Sequence, residues 1–148
     1  ELMLTATGQG PLAILRPSLL YGAGDPHNGY GPNRFRRQAA RGEVITLFGE
    51  GEEMRDHVFI DDVAALTVLV LAHRSRGVLN VATGVSTPFR RVAEMVAALA
   101  PRTVQIEGTA RQTPITNRHF DITACLKAFP TFRYTPLTEG LRRASQET

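Results

Sequence analysis

The sequence predicts an α/β fold, a small mixed sheet with helices, and three observations carry that expectation. Two short continuous apolar runs, Leu12-Ala13-Ile14-Leu15 and Val78 to Ala82, have the signature of strands buried on both faces. Other segments place apolar residues at helical spacing, most clearly Phe89, Val92, Ala93 and Val96. Gly and Pro punctuate the boundaries between the two kinds of segment. The 148 residues are enough to bury one core of ordinary size.

Each element follows in order. Residues 1–7 read as the last turns of a helix, ended by Gly8 and Gly10. The strand 12–15 runs through Arg16-Pro17-Ser18-Leu19-Leu20-Tyr21 into a Gly/Pro/Asn loop over 22–33, a length that in a compact domain usually carries function. A basic helix over 33–41 closes at Gly42. Residues 44–48 are β-branched and aromatic and read as a strand. Residues 49–52 read as a turn and 55–60 as a second strand, which predicts a hairpin-like pair around Gly49–Gly51.

Asp61 or Asp62 is placed to cap the helix 63–73, which is apolar nearly all round and should be sandwiched. After the strand 78–82, Thr87-Pro88 reads as a cap and first turn, and Pro101 stops that helix. A strand follows over 103–107. Asp121 caps a short helix through Ala128, and Thr135-Pro136 opens a last helix lined by Leu137, Leu141 and Ala144.

Composition removes several classes of chemistry. With 43% hydrophobic and 21% charged residues the chain is globular rather than disordered. A single Cys excludes a disulfide framework and suits the reducing cytoplasm. The longest apolar run, within 63–72, is shorter than the roughly 20 residues of a membrane span. His27, His57, His73 and His119 do not fall at ligand spacing, so no metal is expected. A net charge of +3 permits an anionic ligand, but the arginines are not bunched into a nucleic-acid tract. There is no G-x-S-x-G elbow, and Gly22-Ala23-Gly24 runs into Pro26 rather than into a helix, so it is not a dinucleotide fingerprint. His57, beside Asp56, reads as a base or, more simply, as a strand histidine with a carboxylate neighbour.

The informative stretch is Phe48 to Ala64. A Gly turn is followed by Arg55, whose rigid fork of donors matches phosphate oxygens. Glu52, Glu53 and Asp56 are alternative partners for it. The order Arg16-Pro17-Ser18-x-x-Tyr21-Gly22-x-Gly24-Asp25, then Leu47-Phe48-Gly49-x-Gly51-x-x-x-Arg55-Asp56-x-Val58-x-Ile60-Asp61-Asp62-Val63-Ala64, then Leu79-Asn80-Val81-Ala82-x-Gly84 resembles the C-terminal half of extended short-chain dehydrogenase/reductases. More narrowly it resembles the nucleotide-sugar epimerase/dehydratase group. Asp121-Ile122-Thr123 and the ending Thr135-Pro136-Leu137-x-Glu139-Gly140-Leu141 fit the same pattern.

That resemblance implies a Rossmann-like enzyme using NAD or NADP, in which residues 1–148 form the substrate-binding part and carry strands that complete the cofactor sheet. It implies transient hydride transfer on a nucleotide sugar. The family's Tyr-x-x-x-Lys pair is not in this chain: the only Lys is Lys127, and Thr123 stands four residues before it. Glu1 matches a family Glu that follows that Lys, and no catalytic residue is assigned here.

By the same resemblance Pro17 and Ser18 lie beside the nicotinamide. Leu19 stands at a sugar-nucleotide position that is often Asn in the family. Gly31 and Pro32 fall where backbone meets the diphosphate, Thr46 and Phe48 on the strand that packs on the nucleobase, and Val85 in the same pocket. Arg55 and Arg111 match diphosphate-binding arginines. Gln112-Thr113-Pro114 replaces the family's Pro-Gly-Asp. Leu19 and Pro114 keep open a reductase of a non-nucleotide carbonyl compound, and a non-enzymatic binding module is a third reading. Strands 12–15 and 78–82 would expose apolar edges on their own, which predicts self-association.

Overall fold

A computed structural model describes residues 12–146. The helix expected over 1–7, with Gly8, Gly10 and Glu1, lies outside the described residues. Seven short strands and five helices follow one another among the described residues. They are β1 (Ala13–Pro17), β2 (Leu19–Tyr21), α1 (Pro32–Ala40), β3 (Ile45–Phe48), β4 (Met54–Phe59), α2 (Ile60–Ala72), β5 (Gly77–Val81), β6 (Ser86–Pro88), α3 (Phe89–Leu99), β7 (Ile106–Thr109), α4 (Thr123–Ala128) and α5 (Leu137–Gln146).

The strands form three small sheets. β1 and β5 pair in parallel from Ala13 opposite Gly77 to Pro17 opposite Val81. β4 is central in a mixed sheet, parallel to β2 and antiparallel to β6. β3 pairs in parallel with β7.

Successive side chains of a strand point to opposite faces, and β4 uses both. Val58 feeds a core with Leu66, Val81, Cys125 and Phe129. Phe59 feeds a second core with Tyr21, Phe35, Leu47, Val92 and Leu141. Ile45 and Leu47 are fully buried on one face of β3, which turns Thr46 and Phe48 to the other.

Five local expectations are corrected. β3 and β4 do not form a hairpin. Gly49 and Gly51 adopt positive φ, and the backbone beyond them bonds to the start of α3, Arg90 N–H to Gly51 O at 2.9 Å and Phe89 N–H to Glu53 O at 3.2 Å. The turn therefore hands the chain from one sheet to another. A Cβ at Gly51 would meet the Arg90 backbone nitrogen at 2.7 Å, which is why glycine stands there.

Neither Asp61 nor Asp62 caps α2. Its N-cap is extended Phe59, with no side-chain bond, while buried Asp62 reaches across to accept Thr135 N–H and Oγ1–H, both at 2.8 Å. Thr135 thus anchors the entry to α5 through Asp62 rather than through its own helix.

Thr87-Pro88 is strand and not helix. Thr87 pairs with Arg55, and proline is tolerated because β6 is an edge strand. Finally, α2 is not sandwiched: Asp62, Leu66 and Val70 are buried, whereas Val68 and Leu71 are 63% and 71% exposed. Nor is Asp121 the cap of α4: the N-cap is Ile122, with no side-chain bond, and Asp121 stands one residue before it, its Oδ1 accepting Thr123 N–H at 2.9 Å.

Candidate functional site

The site grows from two glycine-dependent turns. Gly31 ends the loop before α1 with φ 127°, and its carbonyl accepts Phe35 N–H at 3.0 Å. Pro32 takes the first helical position, where its missing N–H costs nothing. A Cβ on Gly31 would stand 3.2 Å from Leu19 Cδ2 and 3.1 Å from the Phe89 ring, so Leu19, Gly31 and Phe89 lie together.

Tyr30, just before Gly31, ties this turn to β3. Its ring stacks on Phe48 with centroids 4.3 Å apart and planes at 24°, and its hydroxyl accepts Phe48 N–H at 3.0 Å. Tyr30 also packs on Phe89 at 4.6 Å and edge-on to Phe35 at 5.3 Å. Burial raises the pKa of its hydroxyl, so it stays protonated at neutral pH. Phe48 is 46% exposed, so it is a surface platform and not a core residue. Thr46, half-buried, lies two residues before it on the same face of β3.

The second turn, Gly49–Gly51, places the charged groups. Arg55, at the start of β4, directs its guanidinium to the Glu53 carboxylate and to the backbone oxygen and hydroxyl of Thr116. Arg111 donates to Glu53 Oε2 at 3.0 Å, to Glu52 Oε2 at 3.3 Å and to the Phe48 carbonyl at 2.9 Å. These carboxylates hold the Arg111 pKa above its already high ordinary value. The two arginines therefore converge on one anion, Glu53, and Arg111 joins that cluster to the Phe48 platform.

The structure brings together Leu19, Gly31, Pro32, Phe48, Arg55 and Arg111. Val85 stands apart from them, 67% exposed at the turn before β6. It lines a cavity of about 310 Å³ with His57, Thr83, Thr87, Tyr134 and Leu137. Pro17 is exposed at the end of β1. Ser18 is engaged: its hydroxyl donates to Asp56 at 2.8 Å and its N–H to Val81 O at 3.0 Å.

Sequence reasoning missed Tyr30 and Thr116 as members of the site; Glu53 it offered only as one of three possible partners of Arg55, and the structure selects it. Tyr30 had a signal, an aromatic residue directly before a Gly-Pro helix start. Thr116 sits in an irregular segment with no pattern to place it.

His57 has its own chemistry. It is 3% exposed, packs edge-on to Phe89 at 5.6 Å, and neither ring nitrogen has a hydrogen-bond partner of good geometry among the described residues. Burial pushes its pKa from 6.5 down to about 4, while the Asp56 charge and the Thr87 backbone oppose the shift only partly. The folded state thus holds neutral imidazole, whereas the unfolded chain takes up a proton near pH 6.5. Stability attributable to His57 is full above about pH 6.5 and falls as pH drops toward 4, by roughly 3 kcal/mol in total. Denaturant unfolding across that window should show this slope in the wild type and lose it in His57→Phe. Parallel curves for the two proteins would refute the assignment.

Comparison with known proteins places the chain in a family. Residues 2–82, more than half of the chain, match the NAD dependent epimerase/dehydratase family. The chain is 27% identical over 140 residues to dTDP-4-dehydro-6-deoxy-D-allose reductase of Streptomyces bikiniensis, covering 90% of this chain and 42% of that protein. It is 32% identical over 123 residues to dTDP-L-rhamnose 4-epimerase of Burkholderia thailandensis, covering 78% and 34%. Among solved structures it superposes on UDP-glucose 4-epimerase of Thermotoga maritima, determined with UDP-glucose, with a TM-score of 0.75 and 25% identity over 91% of this chain and 45% of that one. The chain thus spans less than half the length of each of these proteins. No helix among the described residues is long and apolar enough to cross a membrane. With the fold, the ordered motifs and the profile match in agreement, the chain belongs to the NAD-dependent epimerase/dehydratase family.

Proposed function

We propose that this chain is the substrate-binding portion of an NAD(P)-dependent epimerase/dehydratase that acts on a nucleotide sugar by transient hydride transfer. The observation that carries the reading is the convergence of Arg55 and Arg111 on a single anion beside the half-exposed Phe48 ring. Two guanidinium forks suit a diphosphate, and an aromatic face next to them suits a nucleobase. Leu19, Gly31 and Thr46 close the sides, and the Pro32 turn brings the start of α1 toward the diphosphate. Val85 lines the cavity shared with His57 and Thr87, whose strand partners are Leu19 and Arg55.

NAD(P), when bound, supplies the hydride acceptor. This chain offers it one flank: the exposed Pro17 backbone, with Ser18 held rigid by Asp56 and Val81. No residue here supplies the catalytic base, so the chain alone is inactive, and its part is binding and orientation. The exposed Val68 and Leu71 on α2 and Val78 on β5 form the apolar side on which a cofactor domain would pack. Without that cover the same side drives self-association. The expected location is the cytoplasm, and neither nucleic acid nor membrane is expected as a partner.

The natural protein that carries this chain, loaded with NAD, should bind UDP- or dTDP-sugars and convert them, and should leave small ketones untouched. Reduction of small ketones without affinity for nucleotide sugars would select the alternative, a reductase of a non-nucleotide carbonyl compound, which the apolar Leu19 contact with Gly31 and Phe89 favours.

A further inference from the structure

We propose that Glu53 is a displaceable internal anion, which occupies the two arginine forks when ligand is absent and yields them to a diphosphate. The inference rests on the diphosphate reading above and names the residue that tunes that site.

The geometry is that of a ligand already in place. One Glu53 oxygen takes Arg55 and the other takes Arg111, so a single carboxylate bridges two guanidiniums. The side chains of Arg55, Arg111 and Glu53 are 16%, 14% and 14% exposed, withdrawn from bulk water but not sealed. A carboxylate bridging two guanidiniums uses the same charge-assisted bonds that a phosphate would use.

Both arginines stay oriented without it. Arg55 keeps the Met54 carbonyl at 3.0 Å and Thr116 Oγ1 at 3.2 Å. Arg111 keeps the Phe48 carbonyl at 2.9 Å and Glu52 at 3.3 Å. In addition, the buried Nε–H of Arg111 has no acceptor among the described residues, so its guanidinium is not saturated by the groups described around it. The Glu53 backbone is pinned by Phe89 N–H, so the displacement is a side-chain rotation and not a loop opening. A bound diphosphate and an unmoved Glu53 would place like charges on the same donors, which forces the exchange. The consequence is a site preformed in shape but weakened in affinity, because the ligand must compete with an internal anion.

The test is UDP binding to the natural protein in its wild-type, Glu53→Gln, Glu53→Ala and Arg55→Ala forms. Removing the competing charge should tighten UDP about tenfold in Glu53→Gln, the equivalent of roughly 1.4 kcal/mol, while Arg55→Ala weakens it. If Arg55→Ala weakens UDP but both Glu53 variants bind it no more tightly than the wild type, the internal-anion role is overturned and the diphosphate reading stands. If Arg55→Ala and the wild type bind UDP equally, or neither binds, both fall. A wild-type readout does not depend on variant folding: in crystals soaked with pyrophosphate, Glu53 should have left both guanidiniums. Pyrophosphate bound elsewhere, with Glu53 still bridging the arginines, would overturn the proposal.

Discussion

Replacing Asp56 by alanine should cost the fold about 3–5 kcal/mol, the largest stability effect expected of any polar side chain here. Asp56 is 1% exposed and accepts from four donors. Ser18 Oγ–H and Thr83 N–H share Oδ1 at 2.8 and 3.0 Å. Thr83 Oγ1–H and Gly84 N–H share Oδ2 at 2.9 and 2.7 Å.

These donors belong to the junction of β1 with β2 and to the loop after β5, so the carboxylate ties the two-stranded sheet to the mixed one. Alanine removes the shared charged acceptor of four part-buried donors, two of them the backbone N–H groups of Thr83 and Gly84, and hydrogen bonds to charged groups are the costly ones to lose. Asp56→Asn keeps the volume but turns an amide NH₂ toward two donors, so it should recover little. Thermal unfolding checks this, with a fall of roughly 10 °C or more expected for a chain of this size. A fall of only a degree or two would show that the two sheets are held together some other way.

The same residue shows how far the sequence could be read. Arg55-Asp56 sits in a segment whose order alone carried the family resemblance, and that resemblance pointed to Arg55 and Arg111 although they stand in different elements. The positions of β1 and β5 and the helix over 89–99 were legible because each follows from local pattern, but the expected burial of those two strands on both faces was not met: Arg16, Pro17 and Val78 are exposed.

What local pattern could not supply was pairing. Gly49–Gly51 looks like a hairpin turn, yet which strand lies beside β3 is decided by β7, nearly sixty residues away, and by the start of α3 gripping Gly51 and Glu53. Asp62 looks like a cap of its own helix, yet its partner is Thr135. Thr87-Pro88 looks like a helix start until Arg55 claims Thr87 as a strand partner. Tertiary partners overrode local preference in each case. The Tyr30–Phe48 stack and the Arg111 half of the Glu53 bridge were likewise invisible, because both join segments that no spacing rule connects, whereas Glu53 beside Arg55 was already among the local partners the sequence offered.

The second large effect is on binding. Arg55 and Arg111 are the groups through which this site would hold a diphosphate, and charge-assisted bonds of this kind contribute about 1.5–3 kcal/mol each. Losing one of them should weaken a nucleotide sugar by a factor on the order of ten to a hundred, and losing both by more. The fold should tolerate the change, because neither arginine is fully buried: their side chains are 16% and 14% exposed. Arg111→Ala carries an added consequence, since its bond to the Phe48 carbonyl helps to hold the stacking platform. It should therefore also blunt discrimination between nucleobases, which Arg55→Ala should leave intact.

The most direct measurement is calorimetric titration of UDP- and dTDP-sugars into the NAD-loaded natural protein, wild type against Arg55→Ala and the Arg55→Ala/Arg111→Ala double variant. Saturable binding to the wild type that weakens by at least tenfold in the single variant and vanishes in the double variant is the predicted result. Equal affinity across all three proteins, each still folded, would contradict the assignment of this face as a nucleotide-sugar site.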